Sequence, residues 1–323
     1  MTFIAPHRLL AAAILCASCA AALAFDLEGH RGARGLAPEN TLPAFERAMA
    51  IGVDTLELDV GVTADGVVVI SHDPFLNPAI TRDKDGQWLA ERGPLIRSLT
   101  FEQLQAYDIG RIRPGTAYAA TFSRQQPRDG TRMPTLASLF ALVKARGAKV
   151  RFNIETKTDP TRPDDTVDPA TMTTALLQVV RDAGMTERVS IQSFDWRTLR
   201  LVQQRASTIP TVCLTVQAAN NDITRDSRWT AGLQLADHGS VPALVKAAGC
   251  AAWSPNAGAV TQALVKDAQS AGLKVIPWTV NDPAVQDKLL GWGVDGLITD
   301  EPDRLRDVMA RRGMPLPTAY PTP

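Results

Sequence analysis

Apolar and polar positions along this chain fall into a repeating unit: a short run rich in Val, Leu and Ile, a polar loop, then a stretch of helical periodicity closed by glycine. Residues 25–29 lead to a helix near 41–51 that stops at Gly52, and residues 54–60 lead, after a long detour, to 136–146 and Gly147. Strand 148–155 precedes helix 169–183 and Gly184, and strand 189–193 precedes helix 196–205, with Asp195 as its N-cap. The same order recurs at 211–216 with 242–248, 250–254 with 260–271, 274–280 with 283–292, and 295–299 with 302–312. Strands alternating with helices of this length specify a parallel sheet, and eight such units predict a closed (β/α)8 TIM barrel of the α/β class.

The second unit carries an extra arm. Asp65-Gly66 lies between two apolar runs, the strongest short-range hairpin signal, so residues 67–72 are expected to fold back antiparallel on strand two. With Asp65 and Gly66 as the two loop residues, cross-strand partners sum to 131 and Asp59 falls opposite His72. Residues two apart on a strand share a face, which puts Glu57, Asp59 and His72 on one surface. The other face, Leu56, Leu58 and Val60, is apolar, and that turns the acids inward. Two like charges about 4 Å apart repel by roughly 4 kcal/mol at an effective dielectric of about 20, and a hard divalent cation is the usual compensation.

Three segments fall outside the rhythm. Residues 74–134, rich in Gly, Pro and Arg with one helical stretch near 100–107, read as a small insertion between strand two and its helix, and 217–240 is a shorter excursion. The Pro-rich tail 314–323 is expected to be loosely ordered. Residues 1–24 carry one Arg (Arg8), an apolar core and Ala22-Leu23-Ala24, which fits a signal peptide cut near Ala24/Phe25 and an exported protein, periplasmic or secreted. The short run disfavours an anchor, and Cys16, where lipoprotein processing at Cys19 wants Leu, disfavours that route. The chain therefore divides into a leader (1–24), one barrel domain (25–318) holding the insertion (74–134), and the tail (314–323).

Composition sharpens this. With 323 residues, 45% of them hydrophobic, there is ample material for a barrel core. Basic and acidic side chains number 34 each, and removing Arg8 with the leader leaves 33 against 34, which argues against a nucleic-acid or polyanion partner. No internal apolar run reaches the ~18 residues of a membrane span, so no stable membrane insertion is expected. Cys16 and Cys19 leave with the leader, so Cys213 and Cys250 form either a disulfide or two buried thiols.

Barrels of this kind gather their chemistry at the C-terminal ends of the strands. Strand one delivers His30 and Arg31, strand two Glu57 and Asp59 with His72 returning above them, strand three Glu155 and Lys157, strand four Gln192, strand seven Trp278, and strand eight Asp300. Three carboxylates suit one oxygen-liganded Ca2+ or Mg2+, Arg31 and Lys157 suit a phosphate, and two histidines suit general acid and base. That combination is what hydrolysis of a phosphodiester requires.

The sequence resembles the glycerophosphodiester phosphodiesterase family. The matching stretches are His30-Arg31-Gly32, Pro38-Glu39-Asn40-Thr41, Glu57-Leu58-Asp59-Val60, Asp65-Gly66, His72-Asp73, Asn153-Ile154-Glu155-Thr156-Lys157, Trp278-Thr279-Val280-Asn281 and Asp295-Gly296-Leu297-Ile298-Thr299-Asp300. The resemblance implies His30 and His72 as the catalytic pair, Glu57, Asp59 and Glu155 as ligands of one divalent cation, Arg31 and Lys157 on the phosphate, and Trp278 walling the glycerol pocket. Gln192 is a further candidate for substrate contact. Plainer readings stand beside these: Asn40 as a helix cap, Glu39 as a surface charge, Trp278 as packing, Gln192 satisfying backbone groups, Asp73 and Asp300 as supporting or turn residues, and His238 as incidental. The implied substrate is a small-molecule glycerophosphodiester, split to sn-glycerol 3-phosphate and an alcohol. A lysophospholipase D is the alternative, with Phe75, Leu76, Trp88 and Leu89 available for an apolar groove. A non-catalytic phosphodiester-binding protein is disfavoured, because both histidines and all three acids are present.

Overall fold

The computed structural model describes residues 25–321, and the leader expected at residues 1–24 lies outside them. Eight parallel strands, Asp26–Gly29, Thr55–Val62, Arg151–Thr156, Val189–Ser193, Thr211–Thr215, Ala252–Pro255, Lys274–Val275 and Gly296–Thr299, follow one another around a barrel in chain order. The eighth pairs with the first in the register Asp26 to Gly296 and Gly29 to Thr299. The seventh is shorter than the predicted 274–280, because Pro277 has no N–H to give a ladder. Single backbone bonds nearly close that seam: Asp295 N–H to Val275 O (2.9 Å), Ile298 N–H to Pro277 O (3.0 Å) and Val280 N–H to Ile298 O (2.9 Å).

Strand alternation divides the structure into two layers. Outward residues Leu27, Leu56, Leu58, Val60, Phe152, Ile154 and Ile191 meet Phe45, Phe140, Leu176, Leu199 and Leu305 of the surrounding helices, all at most 1% exposed. The helices start where side chains supply the missing acceptors: Thr41, Thr135, Asp168, Asp195, Ser240, Thr261 and Asp282 each take a first-turn N–H. Inside the barrel one side is apolar, Val212, Ala252, Ile276 and Ile298 with Trp278 against them. The other side is polar and buried, with Glu28, Glu57, Asp59, Asn153, Glu155 and Gln192.

The returning arm, Val68–Ile70, pairs antiparallel with strand two, but one residue away from the expected register. Val60 faces Ile70 and Gly61 faces Val69, so partners sum to 130 and Asp59 meets Ser71, whose N–H bonds Asp59 O at 3.0 Å. Thr63 to Val67 all belong to the loop, closed by Thr63 N–H to Val67 O, with Gly66 at φ +81° where a left-handed residue is needed. A one-residue slip flips faces along a regular strand. Here pairing stops at Ile70, and His72 is carried over the barrel mouth beyond the ladder.

The segment after the arm contains a short helix at Phe101–Leu104 with a Thr100/Gln103 capping box, and a second at Ala117–Thr121 that periodicity did not reveal. It has its own small core of Leu76, Ile96, Leu104, Ile109 and Met133. Arg124 ties it to Glu301 and Asp303 at 2.5 Å each, and Phe122 lies 4.6 Å from the Arg34 guanidinium. The 217–240 excursion holds a two-stranded hairpin, Gln217–Ala218 with Asn221–Asp222. Through residue 320 the tail is tied down rather than loose, its last two residues lying outside the described ones: Tyr320 N–H bonds Met49 O (2.8 Å), its hydroxyl accepts from Lys149 N–H (3.0 Å), and Pro317 O accepts from Arg306 (2.7 Å).

Of the two arrangements open to Cys213 and Cys250, the structure has the disulfide, with the Cα atoms 5.9 Å apart and a sequence separation of 37. Protein lacking residues 1–24 should therefore show no reactive thiol when denatured without reductant. Replacing both cysteines by Ala should lower the unfolding free energy by about 2–4 kcal/mol in a urea titration. Two reactive thiols would contradict the bond.

Candidate active site

The first strand ends in a turn that only glycine permits at two places. Arg31 and Gly32 have φ of +48° and +84°, and Gly32 N–H returns to Gly29 O and to Glu57 O, both at 3.2 Å. A Cβ on Gly29 would lie 2.2 Å from Gly32 O, and one on Gly32 would lie 2.7 Å from the Ala44 carbonyl carbon. This turn aims the Arg31 backbone N–H at Glu57 Oε2 (2.8 Å) and turns His30 into the barrel mouth.

Glu57, Asp59 and Glu155 converge there. Asp59 and Glu155 are direct partners across strands two and three, and all three residues offer oxygens within 4.8 Å of one another. Burial, with Asp59 next in weight, pushes Glu57 well above the usual carboxyl range, and burial raises Glu155 to about 7. Burial would raise Asp59 as well, but Lys157 and Arg31 outweigh it and hold that carboxyl well below its ordinary value. Lys157 Nζ sits 2.7 Å from Glu155 and 3.6 Å from Asp59. Asp59 Oδ1 is buried with no hydrogen-bond partner. An all-oxygen set of three acids with an unsatisfied inward oxygen fits a hard divalent cation.

Each histidine has an acidic partner. His30 Nδ1 is 2.6 Å from Asp300 Oδ1, and Asp300 also accepts from Arg34 (2.7 Å) and Asn281 (2.7 Å). Burial alone would raise Asp300, yet His30 and Arg34 together hold it far below the carboxylate range. An ionised Asp300 fixes the proton on Nδ1, which leaves Nε2 as a free base 3.8 Å from Glu57. Burial and then Arg34 lower His30 to about 4. His72 Nδ1 lies 3.1 Å from Asp73, itself held by Asn77 at 2.7 Å. Burial, then Lys157, lowers His72 too.

Two residues given plain readings prove central. Thr41, not Asn40, caps the first helix; Asn40 sits at φ +55° and donates to Asp59 Oδ2 at 2.9 Å. Glu39 is buried rather than a surface charge: it pairs with Arg31 at 2.6 Å and takes the hydroxyl of Tyr118 from the inserted segment. The motif Pro38-Glu39-Asn40-Thr41 was the only sequence signal for either, and nothing local pointed to Tyr118. Arg31 Nε reaches Asp59 at 3.3 Å. Gln192 gives its amide to Glu57 Oε1 at 2.7 Å. Trp278 stacks edge-on against Phe194 and donates to Ser254 O (3.0 Å). His238 lines neither cavity of this region.

His30, Arg31, Glu57, Glu155, Gln192 and Trp278 enclose a cavity of about 130 Å3. Through His72, Glu155, Phe194 and Trp278 it shares walls with an outer cleft of about 560 Å3. With this geometry in place, the profile of the Glycerophosphoryl diester phosphodiesterase family matches residues 30–304. The chain belongs to that family. A glycerophosphodiester phosphodiesterase of Caldanaerobacter subterraneus is 28% identical over 284 residues, 88% of this chain and 97% of the relative. The crystal structure of a putative member from Silicibacter pomeroyi is 34% identical with a TM-score of 0.82, covering 91% of this chain and 95% of that one. An Oleispira antarctica phosphodiesterase, solved in complex with the product sn-glycerol-3-phosphate, shares the fold at 21% identity and a TM-score of 0.65, over 88% of this chain and 96% of its own.

For this family member the raised carboxyls have a direct consequence. Metal ligation needs them deprotonated, and in the metal-free protein burial raises Glu57 well above the usual carboxyl range and brings Glu155 to about 7, so that Glu155 is part-protonated near neutral pH. Loading Mg2+ or Ca2+ at pH 7 should expel protons, and affinity should fall as pH drops below about 7. Calorimetry in two buffers of different ionisation enthalpy reads this, and a binding heat independent of buffer would contradict it.

Proposed function

We propose that this enzyme, a glycerophosphodiester phosphodiesterase by family, hydrolyses soluble glycerophosphodiesters such as glycerophosphocholine to sn-glycerol 3-phosphate and an alcohol. The observation that carries the reading is a cluster of three buried carboxylates, two of which, Glu57 and Glu155, line one inner cavity with both Asp-anchored histidines and Arg31, while Lys157 lines the adjoining cleft. Glu57, Asp59 and Glu155 would hold one Ca2+ or Mg2+, which when bound draws negative charge from the phosphoryl oxygens. Arg31 and Lys157 add fixed positive charge for the phosphate from the cavity wall.

The histidines divide the proton work. His30 lines the inner cavity and is neutral at pH 7, so its Nε2 takes the proton of the attacking group, and the Asp300 carboxylate steadies the imidazolium that results. The attacking group is either water or the substrate's own glycerol hydroxyl, with water then opening the cyclic phosphate. His72 borders both the inner cavity and the outer cleft, where a leaving alcohol can depart. In its imidazolium form it carries a proton taken up from solvent, which passes to that alkoxide and leaves the neutral imidazole that burial and Lys157 favour. Trp278 walls the inner cavity for the glycerol.

A second reading, a lysophospholipase D, draws support from the outer cleft, whose walls include Phe75, Phe194, Val216, Ile223 and Trp229. Of the side chains expected to supply an apolar groove, only Phe75 lines it: Leu76 is buried in the small core, Leu89 packs against that core, and Trp88 lies under Arg82. We place the mature protein outside the cytoplasm, a reading supported by the leader-like residues 1–24 and by the Cys213–Cys250 bond. Among the described residues, no helix is long and apolar enough to cross a membrane.

Protein lacking residues 1–24 should release glycerol 3-phosphate from glycerophosphocholine with Ca2+ or Mg2+ and stop on EDTA. Release from lysophosphatidylcholine alone would favour the second reading, and none from either would overturn both. His30→Ala and His72→Ala should each lower kcat by about 10²–10⁴-fold with little change in Tm. Near-normal turnover in either would remove that histidine from the mechanism.

A further inference from the structure

Glu28 is an acid with no part in the chemistry described so far, yet it sits in the barrel interior at 2% exposure. Its Oε2 accepts a hydrogen bond from Asn153 Nδ2 (2.9 Å), and the same nitrogen donates to Gln192 Oε1 (3.0 Å). Gln192 Nε2 then donates to Glu57 Oε1 at 2.7 Å. Because the other Glu57 oxygen takes the Arg31 backbone N–H, both of its oxygens are held by donors and the carboxylate plane is fixed. Asn153 and Gln192 are each 1% exposed, so water does not compete along this chain.

Two amides in series can run in either direction. In the reverse direction Gln192 would turn its carbonyl oxygen on Glu57, which is repulsive once Glu57 is the ionised carboxylate that a cation requires. Ser190 Oγ, 3.1 Å from Asn153 Oδ1, does not choose between them, since a hydroxyl donates or accepts as needed. Glu28 favours the observed direction: burial and then Asp26 raise it to about 8, and in either protonation form it presents Oε2 as an acceptor to the Asn153 nitrogen at 2.9 Å. An apolar residue there would spare the cost of burying an acid, but it would leave both amides free to flip.

We propose that Glu28, through Asn153 and Gln192, is a positioning residue that sets the direction of a hydrogen-bond relay and so holds Glu57 as a cation ligand. The proposal rests on the metal-site reading above. It also gives Gln192 a task directed at Glu57 instead of at the substrate.

The test uses metal-stripped protein and Mg2+ or Ca2+ calorimetry, together with the 1H–15N resonance of the Gln192 side-chain amide, assigned by its loss in Gln192→Met. Glu28→Met should weaken cation binding about tenfold and shift the Gln192 amide. Glu28→Gln, which can still accept from Asn153, should bind within about threefold of wild type. If Glu28 acts through Gln192, the Glu28→Met/Gln192→Met double variant binds no more weakly than Gln192→Met alone. Full additivity, or an unmoved Gln192 amide in Glu28→Met, would overturn the relay. Should Glu28→Met not fold, Asn153→Leu, which cuts the same chain, carries the same expectations. Wild-type protein that binds no cation would instead refute the metal site, and the amide resonance would still decide the relay.

Discussion

Three carboxylates forced together out of water constrain everything near them. Glu57, Asp59 and Glu155 are at most 7% exposed and arise from adjacent strands whose register brings Asp59 opposite Glu155. Their mutual repulsion and desolvation call for positive charge. The protein supplies part of it with Lys157 lying on Glu155 and Asp59 and with Arg31 beside Asp59. That leaves the acids only partly compensated: burial holds Glu155 near 7, and Asp59 Oδ1 has no hydrogen-bond donor. A site in this condition would gain by binding a divalent cation, and of the same two cationic groups Arg31 lines the inner cavity and Lys157 the outer cleft.

Around this centre each reactive group is oriented by a second one. Asp300 fixes the His30 tautomer, Asp73 holds His72, Asn40 and the Arg31 backbone grip Asp59 and Glu57, and Glu39 steadies the Arg31 guanidinium. The inserted segment takes part through Tyr118 on Glu39, so a piece of chain that looks peripheral reaches a proposed metal ligand in three contacts, Tyr118 to Glu39, Glu39 to Arg31 and Arg31 to Asp59. Fixing orientation before substrate arrives is what lets such groups act without reorganising during the reaction.

Much of this was legible in the sequence. Strand-to-helix periodicity gave the eight units, and residue parity turned Glu57 and Asp59 inward because Leu56, Leu58 and Val60 need the helix layer. What failed were features decided by single backbone geometries or by distant contacts. The hairpin register slipped by one because Asp65-Gly66 sits within a longer loop spanning Thr63 to Val67, which no two-residue turn rule anticipates. Asn40 was open to a capping role because Thr41, the next residue, is an equally good cap, and only the structure shows which side chain turned back to Asp59. The tail looked loose by composition, yet Tyr320 finds a carbonyl on the first helix, a partner far away in sequence.

Glu57, Asp59 and Glu155 are proposed to hold one divalent cation at the place where the phosphate is cleaved. Anomalous diffraction from crystals soaked in Mn2+, a stand-in for Mg2+ or Ca2+ with the same preference for oxygen, tests it directly. One strong peak is expected in contact with oxygens of Glu57, Asp59 and Glu155, with the Lys157 amine moved off Glu155. No peak there, with Lys157 still resting on Glu155 and Asp59, would mean that the lysine alone neutralises the cluster and that the reaction does not use a metal at this site.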